Sequence, residues 1–221
     1  MANNLPREKQ VAVLSALVEG ASIRATDRMT GVNRETICNL LVRVGNGCAV
    51  LLDDAMRNLD CKRLELDEIW GFVGKKQRHV RAAEDASTIG DTWTFVAIDA
   101  DTKLVPCFLV GKRNAENTDA FVSDLASRLR HRVQISTDGM RNYVETIPEV
   151  FSGNVDYAQI VKQYEADAIG PGRYSPPKVS GTSKTPVCGS PIKEFVSTSF
   201  VERQNLTMRM GMRRFTRLTN A

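Results

Sequence analysis

Residues 64–73 read LELDEIWGFV, and this stretch decides the fold that we expect for the chain. It is short, rich in aliphatic and aromatic side chains, and followed by a glycine, which is typical of a β-strand. Two stretches of the same kind come next, TWTFVAID at 92–99 and LVPCFLVG at 104–111. We therefore predict three consecutive strands that pair in antiparallel order.

The pattern changes after the third strand. An amphipathic helix is predicted at 115–130, because apolar side chains recur on one of its faces. These side chains are Phe121, Val122, Leu125 and Leu129. A strand at 133–137 ends just before Asp138, another strand is predicted at 156–161, and a last helix at 199–218. This order of strands and helices is typical of an α/β or α+β domain.

One long segment carries no regular pattern. Residues 170–191 hold four glycines and five prolines, which disfavour both helix and strand. We predict a flexible loop, and a loop of this length is usually functional or disordered.

The N-terminal part reads as three short helices within residues 7–44. Ser22 and Asn33 are suited to cap the second and third helices, and Gly45 is expected to end the third. This spacing is that of a helix-turn-helix. The side chains at the start of the third helix are of types that can reach bases or phosphates: Arg34, Glu35, Thr36, Asn39 and Arg43. A small helical bundle that only packs on the rest of the chain remains an alternative, since residues 1–60 carry no net charge.

Charge is concentrated at the C-terminus. The 221-residue chain has a net charge of +4, and the whole excess lies in residues 199–221, where five arginines accompany one acidic residue. Such a segment indicates an anionic partner. A solvated basic helix end, favoured by the helix dipole, explains the charge equally well.

Several classes of protein are not expected from the composition. We find no apolar run near the roughly 20 residues of a membrane span, and the polar N-terminus has no signal-peptide pattern. We therefore expect a cytoplasmic protein with no membrane partner. The five cysteines are scattered without a CxxC pair, so we expect no structural zinc site.

Three carboxylates are placed where a site would need them. Asp67 lies inside an apolar strand, Asp138 ends another strand, and Glu202 begins the last helix. Each has an ordinary structural explanation, such as a turn or a helix-dipole partner. Together they are what a two-metal phosphoryl-transfer site requires. Strand alternation puts Glu65 and Asp67 on one face and Glu68 on the other, and alternation alone does not say which face holds the site.

Three blocks of the sequence, LELDEIWGFVGKK, STDG and FVERQNLTMRMGMRRFTRLTNA, resemble motifs of the IS-one family of bacterial insertion-sequence transposases. The last block is the longest and the most specific. The resemblance implies an α/β fold with a small helix-turn-helix DNA-binding domain at 1–55. A ribonuclease-H-like mixed-sheet catalytic domain is then expected at 62–221, with the flexible loop at 170–191.

The resemblance also implies residue roles. The family's DDE carboxylates fall on Asp67, Asp138 and Glu202, which favours Asp67 over Glu68 as the first of them. They are expected to hold two Mg²⁺ or Mn²⁺ ions. The residues expected to contact DNA, besides Arg34, Thr36, Asn39 and Arg43, are Lys75, Lys76, Arg203, Asn205, Arg209 and Arg213.

The implied activity is DNA cleavage at the terminal inverted repeats of an insertion sequence, followed by strand transfer into target DNA. A homodimer or larger synaptic assembly on double-stranded DNA is expected. The segment between Asp138 and Glu202 is long for the family, and relatives continue beyond Ala221, so a truncated copy and an incomplete reading frame are both open alternatives. Two alternatives stay open: an inactive remnant that only binds DNA, and a metal-dependent nuclease that cuts without joining.

Overall fold

The structure is a computed structural model that describes residues 5–164 and 179–215. Two compact units divide the chain. One comprises Arg57–Glu202, and the other comprises Met1–Met56 together with Arg203–Ala221.

The N-terminal unit contains three helices, α1 (Arg7–Val18), α2 (Ile23–Thr30) and α3 (Arg34–Ala55). They enclose a small core of buried side chains: Val13, Val32, Ile37 and Leu40. The predicted caps of the second and third helices are confirmed. The Ser22 hydroxyl accepts from the Ala25 amide at 3.1 Å, and the side-chain Oδ1 of Asn33 accepts from the Glu35 amide at 2.9 Å. Each cap satisfies an amide that the helix itself leaves without a partner.

The third helix is longer than the sequence indicated. The prediction that Gly45 ends it is wrong, because α3 continues to Ala55. Gly45 and Gly47 have nothing within 4 Å of where a Cβ would lie, so no close approach accounts for them. A glycine costs about 1 kcal/mol relative to alanine in a helix interior, and the helix-forming alanine and leucines that follow offset this.

The same helix also bears on the membrane expectation. By length and composition α3 could cross a membrane, because it is 22 residues long and mostly apolar. The prediction that no apolar segment approaches the length of a membrane span is therefore wrong for this helix. Such a property is weak evidence by itself, because helices of soluble proteins share it.

The second unit is built on a six-stranded mixed sheet with the strand order β3-β2-β1-β4-β5-β6. The strands are β1 (Arg63–Val73), β2 (Gly90–Asp99), β3 (Phe108–Gly111), β4 (Gln134–Thr137), β5 (Asp156–Tyr164) and β6 (Val179–Cys188). Strands β1, β2 and β3 pair antiparallel, as predicted. Strand β4 lies parallel to both β1 and β5, which makes the sheet mixed. The expected α/β fold class with a mixed sheet is confirmed.

Helices α4 (Ala115–Arg128) and α5 (Arg141–Val150) cover one face of this sheet. The main core lies there and contains Leu66, Phe95, Phe121, Ile135, Tyr143 and Ile147, among others. Helix α5 was not predicted, because Gly139 before it and Pro148 inside it both disfavour a helix. The last helix, α6 (Ser199–Gly211), ends earlier than the predicted residue 218, and residues 216–221 lie outside the described part.

The predicted loop at 170–191 is wrong in its second half. Residues 179–188 form β6, which pairs antiparallel with β5 at the edge of the sheet. Pro186 is opposite Ala158, next to a register shift. An edge strand with a bulge is where a proline is tolerated, since no further strand needs its missing N–H. Residues 170–178 lie outside the described residues.

Candidate active site

The strand register brings two of the predicted carboxylates together. In the parallel pair of β1 and β4, Leu66 is opposite Thr137. The next residues along the two strands are Asp67 and Asp138, so their backbones lie side by side where β4 ends. One carboxylate oxygen of each lies within 4.8 Å of the other, in a group that also includes Glu68. This follows the general rule that ligands of α/β sheets lie at the carboxyl ends of parallel strands.

Glu68 is the member of this group that the sequence reasoning set aside. Its side chain is 1% exposed. One carboxylate oxygen accepts from the Tyr143 hydroxyl at 2.6 Å, and the other accepts from Nε of Arg113 at 3.1 Å. The pKa of Glu68 is raised from 4.5 to about 7, mainly by burial; the Tyr143 hydrogen bond and Arg113 act to lower it, and the Asp138 carboxylate acts to raise it. Glu68 is thus a carboxylate that titrates near neutral pH.

Arg113 connects Glu68 to Asp138. Its guanidinium lies 3.0 Å from an oxygen of Glu68 and 3.7 Å from Oδ2 of Asp138. It also lies 4.9 Å from the centre of the Trp93 ring, which holds a planar cation well. A cavity of about 380 Å³ opens beside it, lined by Arg113 and by Asp138, Gly139, Met140, Arg141 and Asn142. The positively charged guanidinium of Arg113 therefore lies at the edge of the carboxylate cluster.

The turn that carries Asp138 is held by hydrogen bonds. The Asp138 carboxylate accepts from the Met140 amide at 3.0 Å. The Gln159 side chain on β5 donates to the carbonyl oxygens of Asp138 and Met140, both at 3.0 Å. Side-chain bonds of this kind position a carboxylate without occupying both of its oxygens.

Glu202 lies on the same face of the sheet as Asp67 and Asp138. The face is identified by Glu65, which alternation places on the same side of β1 as Asp67, and which accepts from backbone amides at the start of α6. Glu202 itself forms an ion pair with Lys162 of β5 and accepts from the Thr198 hydroxyl at 2.7 Å. Within the described residues, it is not a member of the group that lies within 4.8 Å. The structure therefore brings Asp67 and Asp138 together and holds Glu202 beside Lys162.

The predicted DNA contacts on α3 are all exposed: Arg34, Thr36, Asn39 and Arg43. Arg34 is 3.6 Å from Asp27, and Arg43 donates to the Gln10 side chain at 2.9 Å. Their exposure leaves them accessible to an anionic partner, and their role stays a prediction.

The remaining predicted contacts differ in accessibility. Lys75 pairs with Glu84 at 2.6 Å, and Lys76 lies 5.5 Å from the centre of the Trp70 ring. On α6 and just after it, Arg203 and Arg213 are exposed, Arg209 is half-buried and Asn205 is buried. A buried amide is less suited to a direct DNA contact, and these assignments also stay predictions.

The sequence analysis set Glu68 aside in favour of Asp67, and it missed Arg113 and Tyr143 as parts of the site. The dipeptide Asp67-Glu68 was a signal, but alternation assigned its two side chains to opposite faces. Beyond the end of β4 no neighbouring strand separates those faces on that side, so both carboxylates reach the same edge. Arg113 and Tyr143 come from segments far from β1 in the sequence, and no local pattern pointed to them.

No family model and no curated protein sequence matches this chain. Solved structures do match it. The Mos1 mariner paired-end complex with Mn shares 16% identity over 71% of this chain and 60% of that chain, with a TM-score of 0.31. A piggyBac transposase synaptic complex with hairpin DNA shares 12% identity over 93% of this chain and 58% of that chain, with a TM-score of 0.46. Endonuclease V from Bacillus subtilis shares 13% identity over 79% of this chain and 83% of that chain, with a TM-score of 0.28. At these identities the likeness concerns the fold alone, and this chain spans about 60% of the length of the first two.

Proposed function

We propose that this chain is a DDE-type transposase that cuts DNA at the ends of an insertion sequence and joins the freed ends to target DNA. One observation carries the proposal. Asp67 and Asp138 converge from adjacent parallel strands, on the sheet face where α6 presents Glu202. An acidic pair next to a third carboxylate is the donor arrangement that metal-dependent phosphoryl transfer uses.

The residues present fit a hard divalent cation. The clustered group contains carboxylates and neither cysteine nor histidine, and oxygen ligands are what Mg²⁺ and Mn²⁺ prefer. Asp67, Asp138 and Glu202 would hold two such ions. When bound, the ions supply an activated water or 3′-hydroxyl and stabilise the attacking and leaving oxygens.

The chain's own side chains have separate tasks around those ligands. Gln159 fixes the turn that presents Asp138, through the carbonyl oxygens of that turn. Lys162 neutralises Glu202, so a cation that binds there competes with an ion pair already in place. Arg113 offers a positive charge at the cavity beside Asp138, where a phosphodiester of the substrate strand would need one.

DNA is the proposed partner. The exposed polar side chains at the start of α3 suit the reading of an inverted repeat, in the manner of a helix-turn-helix. The arginines of the C-terminal segment suit the phosphate backbone. Because two ends must be held together for transposition, we also propose a homodimer or larger assembly on DNA.

The test is a cleavage and joining assay on supercoiled plasmid that carries the sequences flanking the chain's own reading frame. Nicked and joined products are expected with Mg²⁺ or Mn²⁺ and should be lost with EDTA. Asp138→Asn should bind the same DNA normally and yield neither product. Asp119→Asn, an exposed carboxylate on α4, is the matched control and should behave as wild type.

Other outcomes separate the alternatives. Specific binding that is unaffected by EDTA, with no cleavage by the wild-type protein, would identify a DNA-binding remnant. Cleavage without joining of a pre-cut end would identify a nuclease. Normal joining by Asp138→Asn would show that the site is assigned to the wrong residues.

A further inference from the structure

A second buried carboxylate lies on β1, two residues before Asp67. Glu65 is 2% exposed. Its Oε2 accepts from the Phe200 amide at 2.7 Å and from the Val201 amide at 3.0 Å. Burying a carboxylate costs several kcal/mol unless hydrogen bonds compensate it, so these two bonds account for the position of the side chain.

The bonds come from the first turn of α6. The first amides of a helix have no partner inside the helix, and the N-terminus carries a partial positive charge. A carboxylate from another element can accept hydrogen bonds from these amides, and its negative charge is attracted to the partial positive charge. Glu65 therefore attaches the N-terminus of α6 to the first part of β1.

The attachment joins two parts of the proposed metal site. Asp67 is two residues after Glu65 on the strand, on the same face, and Glu202 is one residue after Val201 on the helix. The backbone from Glu65 to Asp67 is regular strand, and that from Val201 to Glu202 is regular helix. Because such backbone is stiff, each pair of residues moves together. A shift of α6 at Glu65 consequently moves Glu202 relative to Asp67.

We propose that Glu65 is a positioning residue that sets Glu202 against Asp67 and Asp138, so that the three carboxylates can hold divalent metal together. This inference rests on the proposed function, because it assigns Glu202 to the same metal site.

The segment before α6 has anchors of its own. The Gln134 side chain donates to the Ile192 carbonyl oxygen at 3.1 Å and accepts from the Ile192 amide at 2.9 Å. The Ser197 amide donates to the Ser136 hydroxyl at 3.4 Å, and Val196 is buried with Ala158 and Ile160. Loss of the Glu65 carboxylate should therefore misalign the start of α6 without detaching it from the sheet.

The test measures the Mn²⁺ affinity of the 221-residue chain by electron paramagnetic resonance, in the absence of DNA. Removing a group that orients metal ligands typically weakens metal binding about 10–100-fold, and this is the loss expected for Glu65→Ala. Glu65→Gln keeps the size and one acceptor oxygen, so it should fall between Glu65→Ala and the wild-type protein.

Asp99→Asn is the matched control. Asp99 is a carboxylate of the same sheet that is also 2% exposed, and it accepts from the amides of Asp101 and Thr102, both at 3.3 Å, in the turn after β2. This variant should lose stability, as the Glu65 variants do, yet bind Mn²⁺ with wild-type affinity. A parallel loss of Mn²⁺ affinity in Asp99→Asn would mean that general destabilisation, and not positioning, weakens the site.

A double variant supplies the second readout. In the Glu202→Gln background, Glu65→Ala should have no further effect on Mn²⁺ affinity, because the residue that it positions no longer binds metal. Wild-type Mn²⁺ affinity in folded Glu65→Ala would overturn the inference, as would a full additional loss in the double variant. If the wild-type protein itself binds no Mn²⁺, the proposed function fails and the inference fails with it.

Discussion

Glu68→Gln is expected to stabilise the metal-free protein at neutral and alkaline pH. In the wild-type protein, burial raises the pKa of Glu68 from 4.5 to about 7. The folded chain therefore keeps this proton at pH values where the unfolded chain has already released it. By linkage, the stability that the protonated carboxyl contributes is present at low pH and is lost as the pH rises from about 4.5 to about 7.

The magnitude follows from the same shift. A difference of about 2.5 pKa units, at about 1.4 kcal/mol each, gives roughly 3.5 kcal/mol in the free energy of unfolding. Glutamine has nearly the same volume, stays neutral, and can still accept from Tyr143. It removes the nearer of the two carboxylates beside Arg113 and leaves only Asp138 at 3.7 Å, which offsets part of the gain. We expect Glu68→Gln to be about 1–3 kcal/mol more stable than wild type near pH 8 and close to wild type near pH 4.

Urea unfolding in EDTA, followed by tryptophan fluorescence, measures the effect. Trp70 and Trp93 both belong to the sheet, so their emission reports on the unit that contains Glu68. The exposed carboxylate variant Glu116→Gln serves as control and should keep the pH dependence of the wild-type protein. An identical pH dependence of unfolding in wild type and Glu68→Gln would refute the reasoning, because burial could not then be what keeps Glu68 protonated.

Two further predictions concern the stability of the N-terminal helical unit and its proposed binding to DNA. Ser22→Ala removes the cap of α2 and should cost about 1 kcal/mol of stability, measured as a lower thermal midpoint by circular dichroism, whereas Ser22→Asp should restore it. An unchanged midpoint in Ser22→Ala would show that the cap contributes nothing. Arg34→Ala with Arg43→Ala should flatten the dependence of DNA affinity on salt by about one unit of slope for each lost phosphate contact, measured by fluorescence anisotropy over a salt series. Equal slopes for this double variant and the wild-type protein would exclude both arginines from the phosphate contacts.

Local patterns were sufficient wherever neighbouring residues decide the structure. The strands at β1 and β2, and the caps at Ser22 and Asn33, depend on alternation and on side chains within a few positions, and they were predicted. The meeting of Asp67 and Asp138 depends on parallel pairing between distant strands. The residue types indicated a shared site, but the family resemblance was needed to choose Asp67 over Glu68, because no spacing rule fixes the register of β1 against β4.

The predictions that were wrong or incomplete depended on more than the local pattern at one position. Gly45 resembles a helix terminator in the sequence, but the residues after it favour helix strongly enough to continue α3. Pro186 excludes an interior strand and not an edge strand, and the sequence does not say which strand lies at the edge. The cluster at Glu68 needs Arg113 and Tyr143, which reach it only after the tertiary fold has formed.

The short stretch from Glu65 to Glu68 links both sides of the sheet at the site. Its odd-numbered residues face α6, where Glu65 holds the helix amides and Asp67 lies beside Asp138. Its even-numbered residues face α4 and α5, where Leu66 is buried in the main core and Glu68 accepts from Tyr143. A shift of β1 by one residue would exchange these faces and place Leu66 against α6 and Glu65 in the apolar core. Burying the Glu65 carboxylate in the apolar core would be unfavourable, so core packing fixes the register of β1. The same register fixes the positions of the site carboxylates.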